Sequence, residues 1–421
     1  MDKLITVAII GCGGRGSTYG RLMHERFEGK FKIVALCDIS IDNLTQRGDE
    51  YGVAPENRFL DETKFFEMKR ADLLVIGTQD RDHFRMAIKG MELGCDVLVE
   101  KPLTTLREEC EALLACQEKT GAKVFVGHVL RYAPAFLKAE EILNSGELGR
   151  LVSIEDTEQI WYGHFAHSFV RGSWRRKDET SPMILAKSCH DLDMIQHLAG
   201  AQCVSISSVG DLNWFKEENA PEGAALRCTE CKYMETCPYS AKRLYVDRLM
   251  RKPNYSFASI ICRPKPCTIE NTWEAIRESR YGRCVYHCDN DVCDHQLSVM
   301  TFANGVKAVL NTNAFTGNGG RIMKMGCTLG ELILDETEDT ITIKRYGIEE
   351  HEVIKIADLN ETTKEGHGGG DPGLVTTLYE MLMGRHDAVT SLKESVESHL
   401  IGIAAEESRL KGGELVYVHK Q

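Results

Sequence analysis

The feature that most constrains this chain is its opening. Residues 4–10 form an unbroken aliphatic run, the composition of a parallel strand covered on both faces. The run leads directly into Gly11-Cys12-Gly13-Gly14-Arg15-Gly16, a G-x-G-x-x-G spacing. Glycines here permit a tight turn, let a pyrophosphate approach backbone N–H groups at a helix N-terminus, and allow helix to pack on strand. A helix-compatible stretch follows, then a second strand over 32–37 ending in Asp38. A carboxylate about 20 residues past the glycines is placed to hydrogen-bond the hydroxyls of an adenosine ribose. After Asp38 come Ile39, Ser40, Ile41 and Asp42, with no arginine for a 2′-phosphate, so the pattern favours NAD(H) over NADP.

The alternation continues. Strands are expected over 73–76, 97–99 and 124–126, and helices over 83–93 and 106–120. Such an order implies right-handed βαβ crossovers and a doubly wound parallel sheet. Ligands of these sheets sit outside the carboxyl ends of the strands. That places Thr78, Gln79, His83, Glu100, Lys101 and Pro102 at the mouth of a site. Beyond about residue 127 the character changes. Residues 204–209, 297–302, 306–310, 332–334 and 340–344 read as sheet strands, and Asn304-Gly305 as a hairpin turn.

Composition narrows the partners. A chain of 421 residues with 43% hydrophobic and 27% charged residues is globular and large enough for two or three domains. A net charge of -12 makes it a poor ligand for nucleic acid or anionic lipid. No apolar stretch reaches the roughly 20 residues of a membrane span, and the short run at the start lacks a cleavage site. Cytoplasm is the expected location, where singly scattered cysteines stay reduced.

The stretch Val97-Leu98-Val99-Glu100-Lys101-Pro102 now acquires meaning. Together with the glycine turn, His83 and Gly127-His128-Val129-Leu130-Arg131-Tyr132, it resembles the Gfo/Idh/MocA oxidoreductases, over nearly the whole chain. The resemblance implies an α/β architecture. A Rossmann domain over 1–127 would bind NAD, and an α+β domain over 128–421 would bind substrate through an open, mostly antiparallel sheet that often serves in oligomerisation. A homo-oligomer, dimer or tetramer, follows as an expectation. The matching lysine, Lys101, would lie beside the nicotinamide and the reacting hydroxyl. The matching histidine, His190, would carry the hydroxyl proton. Many relatives have an aspartate four residues before that histidine; here the position is Ala186, and Lys187 is the nearest polar substitute. The expected catalytic groups are therefore Lys101, His190 and Lys187.

Other polar clusters are candidate substrate contacts. Asp193 lies three residues after His190, on the same helix face. Arg131 and Tyr132 follow a strand. Arg171 and Trp174 stand in a basic-aromatic loop with His164, His167, Arg175 and Arg176, suited to a sugar face or an anionic sugar. His367 precedes three glycines and Asp371. Each of these also reads as ordinary solvated loop.

Cys228-x2-Cys231-x5-Cys237 lies in an insert spanning about 211–290, with Cys284 and Cys288 further on as sources of a fourth ligand. Thiolates at this spacing suit structural zinc; an iron–sulfur cluster and free thiols are the rival readings. The insert is expected to cap the substrate cleft.

Taken together, the expectation is an NAD-dependent oxidoreductase acting on a hydroxyl of a small carbohydrate, cyclitol or glycoside. Two alternatives stand beside it. One is an NAD-dependent glycosidase working through a transient keto-sugar. The other is a non-catalytic ligand sensor of the same fold.

Overall fold

The computed structural model describes residues 3–253, 255–385 and 391–419. Six parallel strands form the first sheet: β1 (Ile5–Ile10), β2 (Phe31–Cys37), β3 (Arg58–Phe59), β4 (Leu73–Ile76), β5 (Asp96–Val99) and β6 (Val124–Val126). Their order is β3-β2-β1-β4-β5-β6. β1 pairs with β2 on one side and β4 on the other, so the order reverses at β1, where a crevice opens at the strand ends. The central strands are mostly aliphatic because both faces are covered; all four residues of β4 are buried.

The helix Gly14–Arg26 begins directly after the glycine turn. Gly11 has φ +85, and a Cβ there would lie 2.5 Å from the Gly77 carbonyl carbon. A Cβ on Gly16 would lie 2.0 Å from the Gly11 carbonyl oxygen. These two glycines serve packing of loop on loop and helix on strand. At Gly13 and Gly14 a Cβ would meet no protein atom within 4 Å, so those positions face open space.

The second sheet has nine strands: β7 (Leu151–Trp161), β8 (Cys203–Asp211), β9 (His295–Phe302), β10 (Lys307–Thr316), β11 (Gly320–Cys327), β12 (Gly330–Asp335), β13 (Thr340–Arg345), β14 (Glu352–Lys355) and β15 (Val416–Tyr417). Their order is β14-β13-β12-β11-β7-β10-β9-β8-β15, antiparallel except for the β7–β10 pair. β7 was not anticipated from sequence, although it lies at the centre of the sheet. Its inward positions are Ile154, Asp156, Glu158 and Ile160. Two carboxylates on the buried face break the apolar alternation by which a strand is recognised.

The two sheets share cores. The helix Gly370–Leu382 inserts Leu374, Val375, Leu378 and Tyr379 among Val7, Tyr19 and Leu36 on one face of the first sheet. The helix Leu392–Leu410, opened by a Ser391–Glu394 capping box, adds Leu392 and Val396 to Ile10 and Val99 on the other. The chain therefore returns to its first sheet after completing most of the second. The insert consists of turns and short helices, including Asp247–Arg251, Ser256–Cys262 and Ile269–Glu278. It packs its own apolar cluster, with Phe215, Tyr245 and Ile276, against Phe165 and Phe169. Among the described residues no helix is long and apolar enough to cross a membrane.

Gly16→Ala should test the loop packing. Overpacking of this kind costs about 1–3 kcal/mol, expected as a lower urea midpoint at unchanged slope. An unchanged midpoint would contradict the close approach.

Candidate functional site

A cleft of about 470 Å³ opens at the carboxyl ends of β1, β2 and β4, lined by Gly11, Gly13, Asp38, Ser40, Thr78 and Gln79 among others. Asp38 Oδ2 accepts from the Cys12 backbone N–H at 2.6 Å, and Oδ1 from Ser40 N–H at 2.8 Å. The carboxylate thus braces the glycine turn while still facing the cleft. An unfilled cradle at Gly13, an acid at the end of β2 and a helix N-terminus between them fit the adenosine and diphosphate half of a dinucleotide. Ile39 beside the cleft is almost fully exposed, and among the described residues no Lys or Arg side chain bonds Asp38.

Two residues expected at the cofactor are used otherwise. Glu100 is buried, and its Oε1 accepts from Arg15 Nε at 2.7 Å and from the Tyr19 hydroxyl at 2.6 Å. His83 is buried with its ring nitrogens facing the carbonyl oxygens of Pro102 and Thr78, at 2.7 and 3.3 Å. Both hold the strand ends in place; neither side chain is free to meet a ligand. Arg15 continues the network. Its guanidinium grips Asp371 through both carboxylate oxygens, at 2.9 and 3.2 Å, and lies 4.8 Å over the Tyr19 ring. Asp371 in turn accepts from His367 Nδ1 at 3.0 Å.

Lys101 faces the second half of the site. Its ammonium donates to the Ala186 carbonyl oxygen at 2.8 Å. This joins the end of β5 to the turn that opens the helix Cys189–Ala199, and so brings Lys101 and His190 together. His190 is buried, and its Nδ1 has no hydrogen-bond partner in the protein. Burial, with Lys101, His367 and Arg321 nearby, holds its pKa well below the usual range, so the ring is neutral. The ring of His367 stands 5.8 Å away, centroid to centroid.

Lys187 is half-buried and ion-paired to Glu158 at 2.8 Å. Glu158 also meets Arg321 at 2.5 Å, and Arg321 Nε donates to Asp191 at 2.6 Å. Among the described residues, neither Asp156 oxygen has a hydrogen-bond partner. Burial, and then the neighbouring Asp191, push the Asp156 carboxyl far above its ordinary value. None of Tyr19, Glu158 or Arg321 was anticipated. The available signal was the pair of acids at inward parity in β7.

Five expected substrate contacts have other partners. Arg131 is buried and bidentate to Asp193, at 2.7 and 2.8 Å, so the two are spent on each other. Tyr132 lies in the core beside Leu374 and Val375. Arg171 is fully buried and donates to the carbonyls of Arg283 and Tyr239, at 2.7 and 2.8 Å, anchoring the insert. Trp174 Nε1 donates to Asp80 at 3.2 Å, tying the loop to the end of β4. For Arg131, Asp193, Arg171 and Trp174, a polar atom that looked available satisfies a buried group.

The metal expectation is corrected too. Cys228, Cys231, Cys237 and Cys284 line one small cavity beside Arg171, whereas Cys288 turns its thiol to the Cys284 carbonyl at 3.2 Å. Among the described residues, no three His, Cys, Asp or Glu side chains are placed to hold a metal ion. The spacing brings thiols to one cavity without converging them, so the residues do not fit zinc. All sixteen cysteines are free.

Residues 5–128 match the model of an oxidoreductase family with an NAD-binding Rossmann fold. A Bacillus subtilis protein named "Putative oxidoreductase YteT" is 24% identical over 88% of both chains. The scyllo-inositol 2-dehydrogenase (NAD(+)) of the same organism is 27% identical over 55% of this chain, which spans 65% of that enzyme's length. Among solved structures, a levoglucosan dehydrogenase in complex with NADH and L-sorbose superposes over the whole of both chains, with a TM-score of 0.73 at 17% identity. That likeness speaks for the fold.

The orphaned acid on β7 has a measurable signature. A folded-state pKa raised above the unfolded value of about 3.9 means that stability is lost as pH rises above that value, by up to about 1.4 kcal/mol per pH unit. Asp156→Asn removes this loss. Its stability relative to the unsubstituted protein should therefore climb between pH 4 and 8 in chemical denaturation; parallel curves would refute the assignment.

Proposed function

We propose that the chain is a Gfo/Idh/MocA-type NAD-dependent dehydrogenase acting on a secondary hydroxyl of a sugar, cyclitol or glycoside; the match of residues 5–128 to an NAD-binding oxidoreductase family supports this. The observation that carries this reading is the hydrogen bond from Lys101 to the Ala186 carbonyl. It sets an ammonium from the end of a strand of the nucleotide-binding sheet against the turn that opens the helix of His190.

When bound, the nicotinamide supplies the two-electron acceptor for the hydride that leaves the alcohol carbon. The protein does the rest. Lys101 polarises the hydroxyl oxygen. His190 is neutral, with an unpartnered Nδ1, and it takes the hydroxyl proton. Lys187, aimed by Glu158, orients a neighbouring hydroxyl. Gly11, Gly13, Gly14, Arg15 and Gly16 form the diphosphate cradle, with Asp38 at the ribose and Thr78 and Gln79 along the wall. The first 127 residues act as cofactor domain and 128–421 as substrate domain, in a cytoplasmic enzyme.

The same reading makes the protein a homo-oligomer through its open sheet. Val152, Val204, Val209, Leu297, Val299 and Val309 are all exposed, and Val299 lies directly across from Val309. Contiguous apolar surface of this kind suits a second copy of the chain. Val299→Lys with Val309→Lys should give a monomer by analytical ultracentrifugation; an unchanged sedimentation coefficient would place the interface elsewhere.

The activity is tested with a panel of sugars, cyclitols and glycosides supplied with NAD⁺, reading both NADH and released aglycone. Stoichiometric NADH is expected. Lys101→Met should lower kcat by about 10²–10⁴-fold and leave NAD⁺ binding intact. Aglycone release with only catalytic NAD⁺ would replace this reading by the redox-cycling glycosidase. Absence of any pyridine-nucleotide binding would end both.

A further inference from the structure

Ala186 leaves His190 without the carboxylate partner that the resemblance would have supplied from its own helix. The structure brings an imidazole–carboxylate pair to the same place from a segment about 180 residues later in the chain. His367 Nδ1 faces both oxygens of Asp371, at 3.0 and 3.1 Å, and the His367 ring stands 5.8 Å from that of His190 at an interplanar angle of 50°. His367 has φ 52 and ψ 44, and it is followed by Gly368 at φ 62 and Gly369 at φ 92. A left-handed run that includes a residue with a Cβ is uncommon, and such conformations persist where surrounding structure imposes them. Here the run turns the ring toward His190. The two rings differ in access to water: His190 is 4% exposed, and the His367 side chain 38%.

We propose that His367, oriented by Asp371, is the proton-releasing group of the site: it receives from His190 the proton given up by the substrate hydroxyl and passes it to water. This rests on the dehydrogenase reading above. The carbon–hydrogen bond of the alcohol breaks with its electron pair going to the nicotinamide of NAD⁺. The hydroxyl proton goes to one nitrogen of His190, and a proton leaves the other for His367. His367 loses it to solvent. Ketone, NADH and one proton are the products.

Asp371 performs two tasks for this. By accepting Nδ1–H it leaves the Nε2 lone pair as the receiving end, and it holds the ring in the orientation that faces His190. The groups around the pair are Asp371 and, bonded to it, Arg15 with Glu100 behind; His190 from the facing helix; and Lys101 beside His190. The cationic Lys101 beside a fully buried His190 makes that ring a poor place for the proton to rest, which is why a second, wetter imidazole is needed.

The test is NMR of ¹³C-labelled histidine rings in the full-length protein with NAD⁺ bound. His367→Gln identifies the signal by its disappearance. In Asp371→Asn the His367 ring should lose its Nδ1–H tautomer, read from the ring ¹³Cδ2 shift. With the panel alcohol that turns over, His367→Ala should lower kcat by about 10²-fold and regain rate in imidazole buffer. A merely structural histidine gives no rescue. An unmoved ¹³Cδ2 shift in Asp371→Asn, or an unchanged kcat in His367→Ala, overturns the proposal. If the tautomer changes but no panel alcohol is oxidised, the dehydrogenase reading has failed and takes this role with it.

Discussion

Arg15 is the hinge pin of the molecule. Its guanidinium is only partly exposed, and where it leaves water it must be matched by anions and hydrogen bonds. Glu100 and Asp371 supply them, with Tyr19 completing the shell. The three charged partners come from the glycine turn after β1, the end of β5 and the start of the helix Gly370–Leu382. Each therefore fixes something beyond itself. Glu100 immediately precedes Lys101, so holding one side chain sets the starting point of the other. Asp371 ends the loop that carries His367. The cofactor turn, the lysine and the distal imidazole thus share one buried anchor.

A second buried network does comparable work across the cleft. Arg321 from β11 bridges Glu158 of β7 and Asp191 of the His190 helix, and Glu158 reaches on to Lys187. Networks of this kind are seldom the cheapest way to stabilise a core. Their benefit here is positional: Lys187 cannot swing into solvent while Glu158 holds it, and Asp191 pins the first turn of the helix. The second sheet is thereby more than a platform, because its central strand reaches the site through its inward acids.

The strengths and failures of the sequence reading follow from locality. The β1–glycine–helix–β2–Asp38 unit was legible because aliphatic runs, glycines and the acid are all near neighbours in the chain. Of the second sheet, β8, β9, β10, β12 and β13 were visible as well, while β11, β14 and β15 were not anticipated. β7 escaped because Asp156 and Glu158 stand where apolar residues were expected. Arg131, Asp193, Arg171 and Tyr132 looked like ligand contacts because polarity is visible in sequence, whereas the buried partner that consumes it is not. The cysteines show the same limit: spacing reported their proximity, and said nothing about whether the sulfurs converge.

What the sequence by itself determined is the nucleotide-binding half and the change from parallel to antiparallel sheet; Lys101 and His190 were singled out only through the resemblance. The first two rest on short-range patterns that hydrophobic periodicity and backbone freedom impose directly. Only the tertiary structure decided which polar side chains are free and which are committed. It carried the last helices back onto the first sheet, closed Arg15 on an acid 356 residues away, and set His367 beside His190. The reason is physical: whether a charge is available depends on the dielectric and the partners around it, and those belong to packing between segments far apart in the chain.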